Sequence, residues 1–239
     1  MPPSVKFHVA DGVATITLDR PEARNALNLQ MCEELRSAAA AAATHANVKV
    51  VFVRASGPVF CAGADVKERS GMSADEVRER RMKGFAAYEA LEALPMPAIA
   101  VVQGAALGSG VEIAAACDFI VATPDAVFGT PEAQRGTVGA TQRLPRVLGK
   151  RLAKDLMFTG RRLTAEEARL AGLVARISGD PDDEVDKIAK AILGAPGEAL
   201  RTAKHCIDRG VELDPRGALE LELAAIEAQI ASGKWMGKA

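Results

Sequence analysis

Two glutamates stand where a carboxylate is hard to explain as surface decoration. Glu112 closes the stretch "GAALGSGVE" (104–112), and Glu132 lies in "FGTPEAQRG" (128–136), twenty residues further on. Glu112 also opens "VEIAAAC", a segment apolar on nearly every side, which leaves its carboxylate no solvated face. A buried carboxylate is expensive unless it is paired or put to use. The glycines just before it suit a backbone that something must approach closely, or one that must take φ > 0. "FCAGAD" (60–65) repeats the same local logic. At both places a buried strand runs into small residues ahead of an expected helix, where backbone N–H groups are unpaired and the helix dipole is positive. Two such junctions facing each other would aim two donors at one carbonyl oxygen. Carboxylates beside those donors would make an acid–base site for chemistry next to that carbonyl. The plainer alternative is a pair of tight strand–helix turns, with ordinary helix N-terminal acids at 112 and 132. A phosphate loop is a poorer match, since neither GxxxxGK[ST] nor a GxGxxG opening a helix is present.

The segments around these residues alternate in type. "VATITLDR" (13–20) has strand alternation, and "LNLQMCEELRSAAAAAATHA" (27–46) is Ala-rich with helical period. "VKVVFVRAS" (48–56), "AIAVVQG" (98–104) and "DFIVAT" (118–123) read as strands, the first two of them buried. Residues 74–94 form a charged amphipathic helix closed by "PMP", and a short helix is expected from about Gly110 to Cys117. From Gln142 onward the pattern is mostly helical, interrupted near "GLVARI" (172–177). Alternation followed by accumulated helices predicts an α/β core with a helical C-terminal region, divided near residue 190 ahead of "GAPGEAL".

Composition narrows the function classes. The chain has 239 residues and a formal net charge of −1, which gives no basic footprint for nucleic acid. Cys32, Cys61, Cys117 and Cys206 lie far apart without a CxxC pair, so buried reduced thiols are expected rather than a metal or redox centre. No apolar run is long enough to span a membrane, and the N-terminal residues lack a signal-type apolar core. The expectation is a soluble, cytoplasmic protein.

Several blocks occur in the order found in one known family. "RPEARNALN" (20–28), "FCAGADVKE" (60–68), "VQGAALGSGVEIAAACDFIVAT" (102–123), "FGTPEAQRG" (128–136) and "TQRLPRVLGKRLAKDLMFTGRRLTAEEARLAGLV" (141–174) together resemble the enoyl-CoA hydratase/isomerase, or crotonase, family over roughly residues 5–210. The resemblance implies an α/β spiral of ββα units, with a core over 1–190 that holds a CoA-thioester site. It also implies a C-terminal helical trimerisation region over 191–239, and hence a homotrimer or a dimer of trimers. Position by position, the backbone N–H groups of Ala64 and Ser109 would form an oxyanion hole, and Glu112 and Glu132 match the two catalytic glutamates of the hydratases. Ala62, Asp65 and Val66, with Ala23 and Arg24, match segments that line the CoA adenosine and pantetheine. The substrate itself carries the coenzyme A, and no metal or other cofactor is implied.

The expected reaction is syn addition of water to a trans-2-enoyl-CoA. Glu132 would be the base on water, and Glu112 would orient that water and help deliver a proton to C2. Double-bond isomerisation through Glu132 alone, or CoA-thioester binding with weak or lost catalysis, are the alternatives. Three positions depart from the family pattern. Ser109 stands where Gly is usual, which would be strained if φ > 0 were required there. The turn "GTVGA" (136–140) is about three residues shorter than usual, and "ELAAIEAQIASGKWMGKA" lacks the usual last helix.

Overall fold

A computed structural model of the chain describes residues 2–233. The tail of "SGKWMGKA" from residue 234, part of the divergent C-terminus noted above, lies outside the described residues. The chain begins with a hairpin, β1 (Val5–Ala10) and β2 (Val13–Leu18), turned by Asp11 and Gly12, both at positive φ. That is the backbone sign a two-residue hairpin turn demands. β3 (Val50–Ala55), β4 (Ala98–Val102), β6 (Phe119–Ala122) and β9 (Arg176–Ile177) extend β2 in parallel, giving the order β1-β2-β3-β4-β6-β9. Every residue of β4 is buried, the signature of a central parallel strand covered on both faces. A second sheet of three short strands, β5 (Ala105–Leu107), β7 (Val127–Gly129) and β8 (Arg162–Thr164), sits at the ends of the first.

Helices cover both faces. α1 (Leu29–Thr44) is capped by the Asn28 side chain and buries Met31, Cys32, Leu35 and three alanines. Its small residues admit α3 (Ala74–Glu92), which starts in a reciprocal Ser73–Glu76 capping box. Between them lies the single turn α2 (Val66–Arg69). α4 (Ser109–Ala115) is the short apolar helix expected from the sequence, beginning one residue earlier. α5 (Arg143–Thr159) bends at Gly149, and α6 (Ala165–Leu170) follows β8. α7 (Pro181–Leu193) seals the opposite sheet face, packing Ile188 and Ala189 with Val50, Phe52, Ile99, Val101 and Val121. "GAPGEAL" separates α7 from α8 (Gly197–Gly210), and α9 (Pro215–Ser232) ends the described chain.

β9 falls in the interruption expected near 172–177, and the expected run of helices beyond Gln142 needs correction only at β8. Strands of two or three residues carry no readable period, and they form because a sheet edge is already in place to receive them.

Two isolated parallel bridges, Leu27 to Ala64 and Cys61 to Ala106, tie the loops above the sheet. Arg80, buried on α3, locks the first of them. Its Nε donates to Glu68 at 2.8 Å and its terminal nitrogen to the Leu27 carbonyl, while Glu68 also accepts from the Leu29 amide at 3.0 Å. The second bridge needs Gly110. A Cβ there would stand 2.4 Å from the Cys61 carbonyl oxygen, which is itself held by the Leu107 amide. Backbone meets backbone, so no side chain can swing aside. Gly110→Ala is accordingly expected to cost about 1–3 kcal/mol in urea unfolding, the range for overpacking a rigid site. An unchanged midpoint would show that the two strands can part without loss.

Candidate active site

The Cys61–Ala106 bridge sets a parallel register, with the Cys61 amide donating to Ala105 and the Leu107 amide to Cys61. Three residues further along that register, Ala64 falls beside Ser109. Both segments turn away there, and among the described residues neither the Ala64 nor the Ser109 amide donates a hydrogen bond within the protein. Gly108 makes the turn possible. Its φ is +52°, and a Cβ on it would lie 2.6 Å from Oε1 of Glu132. Ser109 itself opens α4 and is not among the residues with positive φ. The condition for strain at 109 is therefore not met, because the left-handed residue is its neighbour.

These amides face a cavity lined by Ala64, Ser109, Tyr88, Phe85, Glu112 and Glu132. Glu112, 7% exposed, receives the Ala140 amide and stands 3.7 Å from the Arg143 guanidinium. Burial pushes its carboxyl above the usual range. The nearby Arg143 opposes that rise, and the Glu132 charge adds to it. Glu132 is also pushed up, chiefly by burial, against the pull of its own amide, Arg135 and Arg81. Its Oε2 is buried without a hydrogen-bond partner among the described residues. Two buried carboxyls lining one cavity, with the charge of one raising the proton affinity of the other, titrate as a pair. Such a pair can take a proton from one atom of a substrate and give one to another.

The short turn at 136–140 wraps both acids. Gly139 packs on the Glu132 side chain, and Ala140 takes φ +56° to aim its amide at Glu112. The shortened loop thus lies against both carboxylates, and both line the one cavity. On the other side of the cavity runs an open groove lined by Ala23, Arg24, Ala62, Asp65 and Val66, continuous with the cavity through Ala62, Ala64 and Val66. The Asp65 carboxylate is already engaged, accepting from the Lys67 and Glu68 amides and from Arg20. Arg24, Lys67, Arg69 and Arg135 give the groove a cationic rim.

Tyr88, Arg81 and Arg143 belong to the site but did not stand out in the sequence. Tyr88 and Arg81 sit in the charged helix pattern of 74–94, and Arg143 sits in "TQRL", quoted above only as a block. Tyr88 is buried with its hydroxyl by the Ser109 side chain, and burial holds its phenol well above the ordinary range. Cys61 backs the Ala64 segment, its thiol pushed up to about 12 by burial, in keeping with an inert core cysteine. No cluster of three or more metal-ligating side chains occurs among the described residues, and no helix there is long and apolar enough to cross a membrane.

The family model described as enoyl-CoA hydratase/isomerase matches residues 8–236. The chain is 39% identical over 234 residues to YngF of Bacillus subtilis, which bears an enoyl-CoA hydratase/isomerase name, covering 95% of this chain and 90% of that one. It is 37% identical to the crotonyl-CoA hydratase of Syntrophomonas wolfei over 220 residues, 89% of this chain and 84% of the other. The crystal structure of an enoyl-CoA hydratase from Bacillus anthracis superposes with a TM-score of 0.92 at 36% identity, covering 95% of this chain and 91% of that one.

The two raised carboxyls leave a mark on stability. Where the folded state holds a proton more tightly than the unfolded chain, stability falls as pH rises from the ordinary carboxyl value through the raised one. Unfolding by urea between pH 4.5 and 8 should therefore show the wild type losing stability across that window. Glu112→Gln with Glu132→Gln should flatten the fall and be the more stable protein at pH 8. A double variant that tracks the wild type at every pH would show that neither carboxyl is perturbed.

Proposed function

The chain belongs to the enoyl-CoA hydratase/isomerase family, and on that premise we propose that it adds water, syn, across the double bond of a trans-2-enoyl-CoA to give a 3-hydroxyacyl-CoA. The observation that carries this reading is the meeting of two unpaired amides and two buried carboxyls around one cavity. The thioester carbonyl oxygen accepts from the Ala64 and Ser109 amides, so the negative charge that develops when C3 is attacked collects on an oxygen already facing donors. Removing one such donor typically costs ~10²–10³ in rate. Water held by the carboxyls forms its new bond to C3 while one carboxyl takes its proton and the other gives a proton to C2. The pair carries the proton this needs near neutral pH because burial opposes double ionisation. Only protons move, so the addition calls for no redox group and no metal.

The groove beyond Ala62 and Val66 takes the coenzyme. Its rim of Arg24, Lys67, Arg69 and Arg135 suits the CoA phosphates, and the backbone at Ala23 and Ala62 offers a narrow track for the pantetheine arm. Isomerisation needs a proton moved between carbons and no water at all. It remains the outcome to look for if one glutamate alone proves necessary.

Self-association is the second part of the reading. α8 and α9 contain no buried residue, yet they present Ile207, Val211, Leu219, Leu223, Ile226 and Ile230 to solvent. An apolar stripe of that length on a two-helix appendage is a surface for further copies of the chain. We expect a homotrimer or a dimer of trimers, and light scattering at micromolar concentration should return three or six times the 25.0 kDa chain mass. A monomer mass would end this part of the proposal.

For the chemistry, crotonyl-CoA and longer enoyl-CoA substrates are to be followed by mass detection of the hydrated product. Glu112→Gln and Glu132→Gln should each lose about 10²–10⁴ in kcat with little change in KM, since the coenzyme binds elsewhere. The double variant should be little worse than the poorer single one, as the two act as a unit. A nearly silent Glu112→Gln beside a dead Glu132→Gln would favour the isomerase. Full activity in both would make the carboxyls structural.

A further inference from the structure

Positive charge stands on two sides of the cavity, and the coenzyme accounts for only one of them. Arg69 and Arg135 line both the cavity and the coenzyme groove. Arg81 lines the cavity but not the groove. It belongs to the far wall, where the cavity continues past Phe85, Val138 and Gly139 into an outer chamber. With the coenzyme held on the groove side, that far wall is where an acyl chain must run.

The passage begins apolar, at Phe85 and Val138, and ends charged. Arg81 is half-buried on α3, and its guanidinium donates to the Thr137 hydroxyl, a neutral partner supplied by the short 136–140 turn. Among the described residues no carboxylate stands within ion-pair distance of it. The other charged groups of the outer chamber are engaged or solvated. Glu92 holds Arg143 at 2.7 Å, Glu212 accepts from Arg209 at 3.3 Å, and Arg146 donates to the Gln142 carbonyl at 2.8 Å. Glu89 is exposed. Glu112 and Glu132 feel the Arg81 charge from beyond ion-pair distance, and both carboxyls stay raised in spite of it. An alkyl chain laid against this guanidinium would strip its water and return no hydrogen bond.

We propose that Arg81 is a specificity-determining residue, which selects short 2-enoyl-CoA substrates whose far end carries a carboxylate. The proposal deepens the hydratase reading and rests on it. A guanidinium presents its N–H groups as a planar fork that matches a carboxylate, and the Thr137 hydroxyl occupies one terminal nitrogen while leaving donors free. The same charge offsets the repulsion that a substrate carboxylate meets on approaching the acidic pair. A neutral chain of equal size gains neither effect and leaves the cation dry. Discrimination therefore comes from the favoured contact and from the penalty on its competitor.

The test compares two substrates of matched size. One is glutaconyl-CoA, which is crotonyl-CoA with a carboxyl group on its methyl carbon. The other is trans-5-methyl-2-hexenoyl-CoA, in which an isopropyl group replaces that carboxylate. Hydrated product is followed by mass, and the readout is the ratio of the two kcat/KM values. A change in the acidic pair alters both substrates alike and drops out of that ratio. The wild type should favour glutaconyl-CoA by about 10–100-fold, the reach of one hydrogen bond to a charged group. Arg81→Leu should erase the preference, and Arg81→Lys should retain part of it. Thr137→Val, which keeps the cation, should retain most of it. Leu and Gln are both good helix formers, so should Arg81→Leu fail to fold, Arg81→Gln takes its place. A wild type that favours the neutral chain, or a preference that survives in Arg81→Leu, overturns the proposal. So does a preference lost as fully in Thr137→Val, since the turn rather than the charge would then set the choice. If no enoyl-CoA is hydrated, the hydratase reading fails, and calorimetry with glutaryl-CoA and 5-methylhexanoyl-CoA still decides the role of Arg81. Tighter glutaryl-CoA binding that Arg81→Leu abolishes supports it, and equal binding of the two overturns it.

Discussion

The parallel pairing of Cys61 with Ala106 is the constraint on which the site depends. Once that register is set, Ala64 and Ser109 end side by side, each with an amide released from any ladder. Everything nearby serves to keep it so. Gly110 allows the two backbones to touch, Arg80 and Glu68 hold the segment before Ala64, and Gly108 turns the other segment at the right residue. A slip of one residue would move both donors out of line together, because neither is fixed by its own side chain. This is the economy of building a pair of donors from main chain: their geometry is inherited from the fold rather than from rotamers.

The carboxyls follow a different logic. Each is destabilised by burial, and each lies against small residues that bring it closer to its partner than its own comfort allows. Gly139 gives Glu132 its place, and Ala140 accepts a left-handed conformation to satisfy Glu112. A non-glycine residue at φ +56° costs about 1 kcal/mol or more, and it persists only where the surroundings hold it. Strain at Ala140, an orphan oxygen on Glu132 and an orphan Nε on Arg143 all occur around one cavity. A fold optimised for stability alone would avoid each of them. Their concentration marks this cavity as the part of the molecule shaped by chemistry.

How much of this the sequence discloses depends on range. Long periodic segments were legible: the Ala-rich α1, the charged α3 and the buried β3 and β4 stand where their patterns put them. Glu112 and Glu132 were legible too, as polar residues with no polar surroundings of their own. β5, β7 and β8 were not, since three residues carry no period and each pairs with a strand that arrives later in the chain, β5 with β7 and β7 with β8. The conformation at Ser109 stayed open in the sequence for a related reason. Sequence shows that a left-handed residue is needed in "LGSG" without showing which one takes it, and Gly108 does. Arg143 was hidden more deeply. In sequence it is one basic residue among several in "TQRLPRVLGKR", and only the docking of α5 against α3 and α4 turns it toward Tyr88 and Glu112.

That last case shows what a resemblance between chains can and cannot transmit. Matching blocks carry the amides and the acids, because those are fixed by motifs of a few residues with a definite local backbone. The state of the acids is not local. It depends on how far water is excluded by Phe85, Tyr88 and the 136–140 turn, and on which cations the packing of three separate elements brings within ion-pair distance. A substitution on α3 that shifts Arg143 by one ångström could therefore alter the acid–base balance while every catalytic motif remained intact.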